Sequence, residues 1–246
     1  MRIEIANLTE ENLRDAPEWE SHPFSCKYCI YWEFPEQCAD PATETKDNAI
    51  RGKTDWVRRT DVLFGNCGRI AYVDGVAAGY AQYAPPELLP QAANYPAGPP
   101  STGAVLISCL FLPQNQFRGL GLGSQILKSV LAELRQRGIE AVETFASKGR
   151  VDNPSGPVEF YFSKGFRIYR DDAEFPLLRL DLRSTRRPPP PIKPPPFLSS
   201  PSKCPSIHNL AKGNTISVEN LMRRNRKIAG GVFFATRLKE YYGEKR

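Results

Sequence analysis

The chain has 246 residues, 41% hydrophobic and 24% charged, with 23 prolines. That is enough for one sizeable core with extensions, but lean in apolar residues for a chain packed from end to end. The longest strongly apolar run, Ala104–Leu112, is far too short to cross a bilayer, and the opening MRIEIANLTEEN has no apolar signal-peptide core. A cytoplasmic protein without membrane contact is expected, its six cysteines kept as thiols or metal ligands rather than a disulfide scaffold.

The net charge of +6 hides an asymmetry. Residues 186–246 carry 13 Lys/Arg against 3 Asp/Glu, a net of +10, while residues 1–185 carry 20 against 24, a net of −4. The run RRPPPPIKPPP from Arg186 cannot be helix or sheet interior and favours a stiff, extended spacer. These shifts predict one α+β domain over residues 1–185, a Pro-rich linker over 186–203 and a basic extension over 204–246, without internal repeats. Residues 222–246 are either a solubilising tail or a weak contact for phosphate surfaces such as RNA or a ribosome.

In chain order, Met1–Asn7 alternates as an edge strand does, and Thr9 can cap a short helix through Asp15. His22, Cys26, Cys29 and Cys38 then fall within 17 residues. Cys26-x-x-Cys29 with Cys38 and either His22 or Cys67 could hold Zn²⁺ tetrahedrally; a redox pair and plain packed thiols are the other two readings. Thr43–Thr60 has helical composition, with Ile50, Trp56 and Val57 as its apolar side. Arg69–Val73 and Val76–Tyr83 flank Asp74-Gly75, a two-residue hairpin turn. Pro85–Thr102 is a long Pro-rich loop of the kind that carries function. Ala104–Leu112 is apolar throughout and predicts a central strand buried on both faces; Cys109 within it is a small buried thiol or a nucleophile.

From Ser124 the residues Ile126, Leu127, Val130, Leu131 and Leu134 lie on one side of a helix that Gly138 ends. Ile139–Ala146 is a further strand, Pro157–Lys164 a short helix, and Phe166–Tyr169 and Leu177–Leu182 the closing strands. Between central strand and helix stands Arg118-Gly119-Leu120-Gly121-Leu122-Gly123-Ser124. Glycines let backbone amides approach a ligand, the helix start adds unpaired N–H groups and positive potential, and Arg118 adds a charge. Such a loop suits a di- or triphosphate. It is neither the G-x-G-x-x-G dinucleotide fingerprint nor a P-loop, which needs Gly-Lys-Ser/Thr.

Arg118-x-x-Gly121-x-Gly123 resembles the pyrophosphate-binding motif of the GNAT superfamily of N-acetyltransferases, and Phe160-Tyr161-Phe162-Ser163-Lys164-Gly165-Phe166 resembles that family's F-Y-x-x-x-G-F segment. The resemblance covers Ala104–Tyr169. It implies a mixed, mostly antiparallel sheet of about six or seven strands, splayed at the cofactor site and flanked by helices. It further implies acetyl-CoA bound by Leu110, Phe111 and Leu112 along the pantetheine arm and by Phe117 through Ser124 at the pyrophosphate, with Asn153 matching the asparagine that often precedes the tyrosine helix. Tyr161 corresponds to the general acid for the leaving thiolate, Glu143 and Glu87 are candidate bases, and the acceptor is a small-molecule, peptide or protein amine. A CoA-binding module without catalysis, acting through partner contacts, is the alternative.

Overall fold

The computed structural model describes residues 1–19, 25–36, 45–149 and 153–183. The linker, the basic extension, His22 and Cys38 lie outside them. Among the described residues the chain forms strands β1 (Ile3–Asn7), β2 (Gly68–Val73), β3 (Val76–Ala84), β4 (Ala104–Phe111), β5 (Ala141–Phe145), β6 (Arg167–Arg170) and β7 (Leu177–Asp181). Helices α1 (Lys46–Leu63), α2 (Leu122–Gln136) and α3 (Val158–Phe162) complete it. The strands make one sheet in the order β1-β2-β3-β4-β5-β7-β6, antiparallel at every step except the parallel pair β4–β5. This is the expected mixed α+β architecture.

The sheet has a core on each face. On one, the stripe Leu122, Ile126, Leu127, Val130, Leu131 and Leu134 of α2 packs with Val105, Ile107, Val142 and Tyr161. Helix and sheet approach closely at Gly79, where a Cβ would come within 2.7 Å of both Ile126 and Leu112. On the other face, Ile50, Trp56 and Val57 of α1 pack with Ile70, Tyr80, Leu106 and Phe145. The segment after Ser25 joins this second core through Trp32, which stacks 5.2 Å from Tyr95; Tyr95 in turn stacks 4.1 Å from Phe145. Thus the Pro-rich loop and the cysteine segment are clamped on one aromatic column.

Two expected elements differ in detail. Thr9 exchanges bonds with Asn12 (Asn12 Oδ1 accepts from Thr9 N at 2.8 Å), but the element there is a 3-10 turn at Leu13–Asp15 whose N-cap is Asn12, without a side-chain cap bond. The Pro-rich loop holds two 3-10 segments, Pro86–Leu88 and Pro90–Asn94, because proline supplies the φ of a helical start without the N–H to extend it.

The second core encloses an ion pair absent from the sequence reading. Lys53, 1% exposed, donates to Glu33 Oε1 at 2.5 Å, Gln82 Oε1 at 2.5 Å and the Cys29 carbonyl at 2.8 Å. Gln82 Nε2 donates back to Glu33 Oε1 at 2.6 Å. All three ammonium hydrogens are used, and although burial opposes its charge, Glu33 holds the Lys53 pKa above the usual lysine value. This network ties the cysteine segment to α1 and β3. Removing one partner strands a buried charge, so Lys53→Met should lower unfolding free energy by about 3–5 kcal/mol in chemical denaturation. Adding Glu33→Leu should restore much of that loss; a single-variant cost below about 1 kcal/mol would contradict the pairing.

Candidate active site

The site begins where β4 changes phase. Cys109 pairs with Gln82 and Ile107 with Tyr83, leaving Ser108 as an extra residue in a β-bulge. A bulge re-aims the residues that follow it. Here Ile107 points to the α2 face, Cys109 to the α1 face, and Leu110 to the α2 face again. On the other edge of β4, pairing with β5 stops at Leu106–Glu143, although both strands continue. A single side-chain bond, Thr144 Oγ1 to the Ile107 carbonyl at 2.9 Å, follows, and the strands then part. The Leu110 N–H faces this gap.

Helix α2 starts beside the gap. Gly119 and Gly121 have φ of +76° and +77°, left-handed conformations that a side chain would strain, and Gly121 is the N-cap. Gly121 has no side chain to cap the helix, and among the described residues no side chain accepts from the amides of Leu122, Gly123 and Ser124, which are left to other partners. Gly119, Leu120 and Gly121 are exposed while Leu122 and Gly123 are buried against the sheet, a bend whose outer face is open. Arg118, half-buried, donates from Nε to the Leu112 carbonyl at 2.8 Å, and its guanidinium lies 5.5 Å from the Phe111 ring centre. It braces the strand end. Phe117 closes the 3-10 turn Asn115–Phe117 just before it.

Tyr161, from α3, is fully buried, and its hydroxyl has no hydrogen-bond partner among the described residues. The nearby Thr144 hydroxyl gives its one hydrogen to the Ile107 carbonyl. Burial raises the Tyr161 pKa above the usual phenol range, so the group stays protonated. Against it lies a turn, Asn153–Gly156, in which Asn153 Oδ1 accepts from Ser155 N at 2.8 Å and the Asn153 carbonyl from Gly156 N at 2.9 Å. The turn bridges the gap: the Gly156 carbonyl accepts from Ser147 N at 2.8 Å on the β5 side, and the Pro154 carbonyl accepts from Leu110 N at 2.9 Å on the β4 side.

Opposite, on the α1 face, Trp19, Cys26, Cys29, Lys53, Tyr80, Gln82, Cys109 and Pro154 line a cavity of about 40 Å³, room for a few waters. The sequence draws the eye to the cysteines of this wall but not to Lys53, Gln82 and Glu33. The signal was present: Lys53 occupies the apolar stripe Ile50-Lys53-Val57 of α1, where a charge needs a buried partner.

The other expected residues fall as follows. Glu143 is fully buried, its Oε1 accepting from Ser101 Oγ at 2.7 Å and Arg179 Nη1 at 2.8 Å, and its Oε2 from Ser101 N at 2.8 Å. It is a strut at the last paired position of β5, its carboxylate taken up by Ser101 and Arg179. Glu87 is exposed on the 3-10 turn Pro86–Leu88. Asn153 organises its own turn. Among the described residues no group of three or more His, Cys, Asp or Glu side chains is placed to hold a metal, so a zinc site has no support there. Cys26, Cys29, Cys67 and Cys109 are free thiols, with burial raising all four pKa values.

Residues 18–161 match the acetyltransferase (GNAT) family, more than half of the chain. The chain belongs to that family. No curated protein matches it. Solved structures of related fold include the PaiA N-acetyltransferase of Thermoplasma acidophilum in complex with coenzyme A, 14% identical over 74% of this chain and 99% of that one, with a TM-score of 0.46. Salmonella typhimurium YncA with acetyl-CoA is 16% identical over 76% and 98%, TM-score 0.47. Arabidopsis thaliana Naa50, with the bisubstrate analogue CoA-Ac-MVNAL, is 15% identical over 73% and 99%, TM-score 0.40. At such distances the family assignment rests on the sequence match, not on these neighbours.

In this GNAT-family protein Cys26 is pushed up to about 12 by burial, against an ordinary 9.0. Only the thiolate is alkylated. Cys26 should therefore label with iodoacetamide about 10³-fold more slowly in the native than in the unfolded protein at pH 7.5. Its rate should keep rising with pH beyond 9; rapid native labelling at neutral pH would contradict the buried-thiol reading.

Proposed function

We propose that the protein transfers an acetyl group from acetyl-CoA to an amine by direct attack. The observation that carries this is the unpaired stretch between β4 and β5, on which three features converge. The Leu110 N–H is aimed into the gap, the uncapped start of α2 lies beside it, and the Tyr161 hydroxyl stands at its edge without a partner. Each is suited to one part of an acyl-CoA: a donor for a carbonyl of the acyl-pantetheine arm, amides and helix-dipole potential for the pyrophosphate, and a neutral acid for the departing sulfur. Acetyl-CoA would supply the activated thioester. The residues of this chain would hold it along Leu110–Leu112 and Phe117–Ser124.

We assign the acid step to Tyr161. Burial keeps the phenol protonated, so a proton is available where thiolate charge develops. The cavity bounded by Trp19, Cys26, Cys29 and Cys109 lies across β4 from α2, and the amine would approach from that side. Neither Glu143, held by three bonds, nor exposed Glu87 is placed to take the amine's proton, so we assign its loss to water.

Tyr161→Phe should reduce turnover by about 10²-fold or more while leaving acetyl-CoA affinity nearly unchanged. The same substitution removes an unsatisfied buried hydroxyl, so it should leave stability unchanged or raise it by about 1 kcal/mol. Thiol release measured across a panel of amines gives the first readout and thermal unfolding the second. Equal turnover would remove Tyr161 from the mechanism, and binding of acetyl-CoA with no thiol release from any amine would leave only a CoA-binding module.

A further inference from the structure

The turn Asn153–Gly156 occupies the place that the acyl-CoA reading assigns to the cofactor. The Pro154 carbonyl accepts the Leu110 N–H at 2.9 Å, the donor that this reading offers to a carbonyl of the ligand. Gly156 packs so tightly on the tyrosine that a Cβ there would lie 3.3 Å from Tyr161 Cε2 and 3.6 Å from its hydroxyl oxygen. That residue also has a φ of +73°, which favours glycine. Pro154 faces the other way too, as one wall of the thiol-lined cavity. One short turn thus covers the carbonyl donor, the acid and the end of the opposite cavity.

We infer that this turn is a built-in plug, whose own carbonyl imitates that of the ligand and must leave before acyl-CoA can enter. The inference rests on the acetyl-CoA reading above. Two bonds tie the turn across the gap, from Ser147 N to the Gly156 carbonyl and from Leu110 N to the Pro154 carbonyl; two more, from Ser155 N to Asn153 Oδ1 and from Gly156 N to the Asn153 carbonyl, shape it from within. Bonds of this kind contribute little net free energy each, so a ligand that replaces the Leu110 contact can open it. Opening also withdraws Pro154 from the cavity wall, enlarging a space that now holds only a few waters. Cofactor entry and acceptor access are coupled by the same displacement.

A closed state that excludes the ligand weakens apparent affinity by the fraction of molecules that are open. Loosening the plug must therefore tighten binding. Asn153→Ala in the full chain deletes the Asn153 Oδ1–Ser155 bond, and should lower the acetyl-CoA dissociation constant by about threefold to tenfold in titration calorimetry. Were Asn153 instead a direct cofactor contact, as the family resemblance implies, the same variant would bind more weakly. Unchanged or weaker binding overturns the plug. Amide exchange of the unaltered protein gives a second readout. Saturating acetyl-CoA should speed exchange at Ser147, Ser155 and Gly156 by about tenfold or more while Leu110 stays protected. If acetyl-CoA binds and those amides exchange as before, the plug is overturned and the cofactor reading survives; if it does not bind at all, both fall.

Discussion

Two parallel strands stop pairing after Leu106 and Glu143, and the rest of the site follows from that interruption. A buried backbone N–H without a partner is costly, so each polar group past the end of the ladder must be satisfied in another way. Thr144 reaches the Ile107 carbonyl with its side chain, and Leu110 N–H takes Pro154. The bulge at Ser108 makes the interruption useful, because it resets which residues of β4 point to each face just before the gap. A strand that paired along its whole length would have a better ladder and no site.

The two faces divide the work. On the α2 side, an apolar stripe and the close contact at Gly79 fix the helix so that its uncapped start falls beside the gap. On the α1 side, the Lys53–Glu33–Gln82 network and the Trp32–Tyr95–Phe145 column pin the cysteine segment and the Pro-rich loop to the sheet. Burying an ion pair in this way contributes little net stability. Its effect is to fix one arrangement of segments that have almost no regular structure of their own. Glu33 Oε2 remains without a partner in that network, as does the Tyr161 hydroxyl on the other face.

Much of the sheet was legible because its signals are local. The run Ala104–Leu112, the Asp74-Gly75 hairpin and the spacing of Ile126 through Leu134 each specify an element without reference to the rest of the chain. The glycine bend was legible for the same reason, since left-handed backbone at Gly119 and Gly121 leaves a mark in composition. What depends on distant contacts was not. Arg118 reads as a free charge until the Leu112 carbonyl is placed beside it, and Glu143 reads as a base until Ser101 and Arg179 surround it. Asn153 matches a family asparagine by order along the chain, whereas its bonds run to its own turn. The paired thiols of Cys26 and Cys29 suggest metal binding by spacing, but spacing does not report the burial that keeps both protonated.

We place acyl-CoA in the opening between β4 and β5, continued by the bend before α2. Titrating isotope-labelled full-length protein with acetyl-CoA and following its amide resonances tests this most directly. The largest changes should fall at Leu110–Leu112, beside the opening, and at Gly119–Ser124, in the bend that continues it. Saturation that leaves those amides unmoved, or no binding at millimolar acetyl-CoA, would contradict it.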